Sequence, residues 1–153
     1  MIPYAKQETD YFCGPAVVQM LLARIGIIFS QEQLAKELGT NDSELKADEV
    51  FGTSADAIVH LLKLHGMTVE RRNGAVLDDI KRALAENRMA LVGFIDPESS
   101  EPHYALVAAL GGGEITLIDP EIGERRIFPL KEFEERWRDT SATYGEHLLI
   151  TVF

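Results

Sequence analysis

From Met89 onward the chain falls into short apolar runs, "MALVGFID", "HYALVAAL", "EITLIDP" and "HLLITVF", divided by "PESSEP", "GGG" and similar stretches. Runs this short, punctuated this way, read as antiparallel strands closed by tight turns. "ERRIFPL" reads as a further strand and "KEFEERW" as a turn or two of helix. Before Met89 the apolar residues recur at helical spacing instead. Helices first and strands second predict an α+β fold, its N-terminal helices packed on an antiparallel sheet. With 153 residues, 46% of them apolar, the chain is long enough for one core, and a single domain over residues 1–153 is expected.

The first helix is expected from Cys13 to Ile25, where only Gln19 and Arg24 are strongly polar, so it should be buried nearly all round. Pro15 fits because it falls in the first turn, where its missing N–H is not needed. Gly26 supplies the stop. Ser30 and Gln33 have capping-box spacing, and that second helix closes on Gly39. A polar, acidic segment follows from Thr40 to Gly52, expected as a loop or a short irregular helix, mobile or irregular and near the groove. A third helix should run from Ser54 to His65 with Ala57, Ile58, Leu61 and Leu62 on one face and Gly66 at its end. "MTVERR" reads as a strand and "LDDIKRALAEN" as a fourth helix.

Fifteen basic against twenty-five acidic residues give a net charge of −10, which argues against nucleic-acid binding through phosphate neutralisation. One cysteine excludes an internal disulfide and a cysteine-based metal cluster, and no metal or organic cofactor is expected. "MIPYAKQETD" lacks the basic and apolar regions of a signal peptide. No apolar run approaches the roughly 18 residues of a membrane-spanning helix. These features predict a cytoplasmic chain without membrane insertion.

The one cysteine, Cys13, stands at the first turn of the buried helix in "QETDYFCGPAVVQML". There the positive end of the helix dipole and unpaired N–H groups favour thiolate, pulling the pKa below its free value of about 8.5. Gly14 beside it leaves room for a substrate. Burial as a small hydrophobe is the plain alternative. A nucleophilic thiolate needs a base, and His103 opens the run "HYALVAAL", which should pair through "GGG" with "EITLIDP". With Ala109 facing Ile115, Val107 faces Leu117 and Ala105 faces Asp119. His103 then lies on the face of Asp119, displaced by one diagonal pair, about 7–8 Å between Cα atoms. A one-residue slip would separate them. Asp119 also begins a "DP" pair, a common turn opener. Gln7, upstream of Cys13, could join the Cys13 N–H in holding an oxyanion, although a glutamine in such a segment is commonly just solvated.

"QETDYFCGPA", with glutamine six positions before Cys-Gly-x-Ala, resembles the C39 family of papain-like cysteine peptidases. "HYALVAAL" before "EITLIDPEIG" is similar to its His and Asp segments, and "FGTSADAIVHLLKLHGM" and "KEFEERW" to its "GT"-headed helix and late aromatic element. The resemblance implies a papain-like fold and peptide-bond cleavage, with Cys13 as nucleophile, His103 as base, Asp119 as orienting carboxylate and Gln7 as oxyanion donor. Gly14 and Tyr104, next to nucleophile and base, would then contact a peptide or protein substrate. The best-known members cut leader peptides after paired glycines as the front end of an exporter. No exporter is expected within these residues, and Phe12 stands where many members have an acidic residue. A non-catalytic peptide-binding module, or acyl transfer on the same triad, would use the same groove.

Overall fold

The computed structural model describes residues 2–41, 52–138 and 146–153. Its elements are α1 (Cys13–Arg24), α2 (Gln31–Leu38), α3 (Ala55–Leu64), β1 (Val69–Arg72), α4 (Leu77–Ala85), β2 (Met89–Ile95), β3 (Pro102–Gly111), β4 (Glu114–Asp119), β5 (Gly123–Pro129), α5 (Leu130–Arg136) and β6 (Leu149–Val152). Five helices thus pack on one six-stranded sheet in the order β1-β6-β2-β3-β4-β5, with every pair antiparallel. The expected α+β architecture is present. None of the described helices is long and apolar enough to cross a membrane.

Both faces of the sheet are covered. On one, α1, α2 and α3 bury Val17, Leu21, Leu34 and Ile58 against Tyr104, Leu106 and Ile150. On the other, Ile80 of α4 and Phe133 of α5 meet Val92, Phe94, Ala105, Val107, Ile115 and Leu117. Central β2 is therefore buried on both sides and reads as a continuous apolar run rather than an alternating one. The apolar surround of α1 has the same cause: from Cys13 to Leu22 only Gln19 escapes burial.

Local signals set the boundaries. The Ser30 hydroxyl accepts the Gln33 backbone N–H at 3.1 Å, and the Gln33 side chain accepts the Ser30 N–H at 3.0 Å, a complete capping box. Gly39, at φ 65°, takes the left-handed conformation that closes α2. α3 buries Ala55, Ile58, Leu61 and Leu62, while Ala57 is half-buried. The segment expected as a loop or short irregular helix lies, from 42 to 51, outside the described residues. Its flanks, Asn41 and Gly52, exchange two backbone hydrogen bonds of 3.0 Å.

The β3–β4 hairpin departs from the expected register near its turn. The turn is Gly112-Gly113, both at positive φ, so Gly111 faces Glu114 and Leu110, not Ala109, faces Ile115. A bulge between Val107 and Ala109 absorbs the extra residue and leaves Ala108 exposed. Beyond it Val107 faces Leu117, as expected, and Leu106 faces Ile118. The shift at the turn and the bulge cancel before the strand reaches His103.

Candidate active site

α1 begins at Cys13, and no side chain caps it from Phe12. The thiol therefore sits at the positive end of a twelve-residue helix, buried to 5% exposure. His103, at the start of β3, is equally buried, and Asp119, at the end of β4, is wholly so. The His103 Nε2–H donates to Asp119 Oδ1 at 2.8 Å, which leaves Nδ1 for the side-chain hydrogen bond with Cys13. Burial opposes charge on the ring. Hydrogen bonds to Asp119 and Cys13, with the charge of both, outweigh that penalty and push the His103 pKa up to about 10. The ring edge also meets Phe94, 5.6 Å between centroids.

Asp119 is held from every side. Oδ1 accepts the Glu121 N–H at 2.8 Å and the Ile122 N–H at 3.2 Å besides His103. Oδ2 accepts Arg126 Nη1 at 2.8 Å. Burial alone would raise its pKa; the hydrogen bond and charge of His103, then Arg126 and the Glu121 N–H, reverse this and hold it at about 2. The other arm of the Arg126 guanidinium, Nη2, reaches Asp96 Oδ1 at 2.7 Å, and Asp96 is 2% exposed. Asp96 also accepts the Glu98 N–H at 3.1 Å, tying down the turn between β2 and β3. Arg126 and Asp96 carried no signal in the sequence. They lie thirty residues apart, on β5 and just past the end of β2, two strands that are not neighbours, and only the folded sheet joins them.

Three expected site residues stand differently from one another. Gln7 donates its side-chain N–H to the Thr9 carbonyl at 2.9 Å, and its backbone N–H meets Pro120 O at 2.7 Å, next to Asp119. One amide proton remains for another acceptor. Gly14 does not open space for a substrate, because a Cβ there would overlap the Thr53 side chain. Tyr104 does not reach a substrate either: it is fully buried on the face covered by α1, α2 and α3, its hydroxyl donating to Thr53 O at 2.8 Å. Both are supports that converge on Thr53. The remaining histidines are elsewhere: His60 is exposed, His65 packs on Phe29, and His147 stacks on Trp137 and bonds Ala75 O at 2.9 Å.

A cavity of about 270 Å³ opens onto Cys13 and His103, walled by Asp10, Tyr11, Gly52, Ser99, Glu101 and Glu121. Among the described residues no cluster of three or more His, Cys, Asp or Glu could hold a metal ion. A cysteine paired with a carboxylate-oriented histidine at the mouth of a cavity is suited to thiol-based acyl chemistry.

The fold is that of C39-like peptidase domains. A putative C39-like peptidase from Bacillus anthracis superposes with a TM-score of 0.75 at 14% identity, covering 99% of this chain and 94% of that one. The peptidase domain of Streptococcus ComA, a bifunctional ABC transporter involved in quorum sensing, gives 0.70 at 18% identity, covering 100% and 97%. In sequence, an uncharacterized protein of Methanothermobacter marburgensis is 29% identical over 122 residues, 80% of this chain and 74% of that protein. The model of the Peptidase_C39 like family matches residues 1–144, and the chain belongs to that family.

Proposed function

We propose that the chain is a cysteine peptidase that hydrolyses a peptide bond in a peptide or protein substrate through Cys13, His103 and Asp119. The observation that supports this most is the His103 ring lodged between a buried carboxylate and the thiol at a helix N-terminus. The imidazolium and the helix dipole both favour the Cys13 thiolate. The thiolate adds to the substrate carbonyl; the oxyanion takes hydrogen bonds from the Cys13 N–H and, once turned toward it, the free amide proton of Gln7. His103 gives its proton to the leaving amine, and a thioester remains. Water, deprotonated by His103, then hydrolyses the thioester and restores the thiol. Small residues such as Gly-Gly before the scissile bond are the preference that family resemblance points to.

The test is alkylation of Cys13 by iodoacetamide across pH, read by intact mass, which is unambiguous because Cys13 is the only thiol. Reaction should stay substantial near pH 6. His103→Ala should move the midpoint up toward the free value of about 8.5, and Asp119→Ala should move it less in the same direction. A wild-type midpoint already near that value and indifferent to His103 would make the domain a non-catalytic binding module.

A further inference from the structure

We propose that the cavity in front of Cys13 selects peptides with a basic side chain close to the bond to be cleaved. This rests on the reading of Cys13 and His103 as nucleophile and base, and adds a substrate class to it. Three carboxylates, Asp10, Glu101 and Glu121, stand in the wall, with the polar Tyr11 and Ser99 between them. No lysine or arginine lines the cavity among the described residues. Its one basic group, His103, is committed on both ring nitrogens, to Asp119 and to Cys13.

Among the described residues, several of the acids elsewhere on the molecule are paired, although exposed ones such as Glu8, Glu37 and Glu114 are not. Glu32, Asp56, Glu70, Asp79, Glu86 and Glu132 each face a lysine or arginine, and buried Asp96 and Asp119 share Arg126. Asp10, Glu101 and Glu121 have no such partner among the described residues. Burial raises the Glu121 pKa first; His103 and Arg126 pull it down, while Asp96 and Asp119 push it further up. Unpaired carboxylates gathered beside a thiolate carry an electrostatic cost, which their concave arrangement focuses on the cavity. An ammonium or guanidinium from the substrate removes that cost and draws the peptide onto the nucleophile. An acidic peptide meets repulsion at the same place.

The experiment uses the full chain and two methanethiosulfonates of opposite charge, one trimethylammonioethyl and one sulfonatoethyl. With either, the Cys13 thiolate attacks the sulfenyl sulfur, an S–S bond forms and methanesulfinate leaves. The ratio of the two rates, divided by the same ratio for free cysteine, cancels the thiolate fraction. At low salt it should favour the cation by about tenfold or more. It should fall toward one in about 1 M salt, where screening acts over roughly 3 Å. In Asp10→Asn/Glu101→Gln/Glu121→Gln, three exposed positions, the ratio should drop at least threefold relative to wild type. Tetralysine should also slow alkylation by neutral iodoacetamide, and tetraglutamate should not. A ratio near one overturns the proposal. So does a ratio that the triple variant leaves unmoved, which would trace it to the net charge of −10 rather than to the cavity. Equal protection by the two peptides, or none by tetralysine, overturns it as well. An inactive nucleophile would be detected separately, by the His103→Ala pH profile.

Discussion

Thr53 accounts for two neighbours whose roles the sequence left open. Its side chain fills the space where a Cβ on Gly14 would go, and its carbonyl takes the Tyr104 hydroxyl. The "CG" and "GT" pairs of the sequence are thus two sides of one close contact, behind the thiol rather than in front of it. Gly14→Ala should cost about 1–3 kcal/mol as overpacking, read as a lower thermal midpoint, and Thr53→Gly in the same chain should recover part of it. Arg126 is the sharper case. Arg126→Gln leaves Asp96 and Asp119 buried without their cation, and unfolding in denaturant at pH 7 should register a loss of about 3–5 kcal/mol. At pH 4 the deficit should shrink, because Asp119 without Arg126 takes up a proton more readily there. Cys13, His103 and Asp119 were legible because each stands at an element end that the sequence marks. Arg126 was not, because a partner across the sheet leaves no spacing to read.

Among the elements, what could be read was what is local. The capping box of α2 lies within four consecutive residues, and Ser30→Ala should lower stability by about 1 kcal/mol, a shift of a few degrees in thermal unfolding. The β3–β4 hairpin mixes success and failure. The face shared by Ala105, Val107, Ile115 and Leu117 was readable from alternation, but the bulge at Ala108 was not, since an exposed alanine carries no apolar signal. The hairpin gives a paired prediction. Deleting Ala108 turns the bulge into a regular ladder and should leave the pH profile of Cys13 alkylation as it is. Deleting Ala105 turns His103 to the opposite face and should raise the midpoint as His103→Ala does.

For the molecule as a whole, opposed shifts fix how stability depends on pH. Asp119 is depressed to about 2, so its contribution is present above the unfolded carboxylate value of about 3.9 and is lost as pH falls toward 2. His103 is raised to about 10, so its contribution is complete below the unfolded histidine value of about 6.5 and is lost as pH climbs to 10. Cys13, held as thiolate below its free value of about 8.5, adds a contribution that grows as pH rises to that value. It offsets the His103 loss above about 6.5, so thermal midpoints should be highest between about pH 6.5 and 8.5 and decline on either side. Cys13→Ala should move the alkaline decline to lower pH, because the thiolate is one of the two groups that hold the His103 proton and its own offset is gone. The charged cluster thus supports the fold as well as the chemistry.

The thiol and its base come from opposite halves of the sheet assembly, α1 and the β3–β4 hairpin. During translation Cys13 emerges long before His103 and Asp119, and β6, which joins β1 to β2, emerges later than any of them. A growing chain therefore carries an ordinary, protonated cysteine. Its partners arrive only when the hairpin docks against the start of α1. On the proposed function, folding itself does for this thiol what an inhibitory pro-segment does in many hydrolases: it withholds reactivity until synthesis has passed the residues that create it.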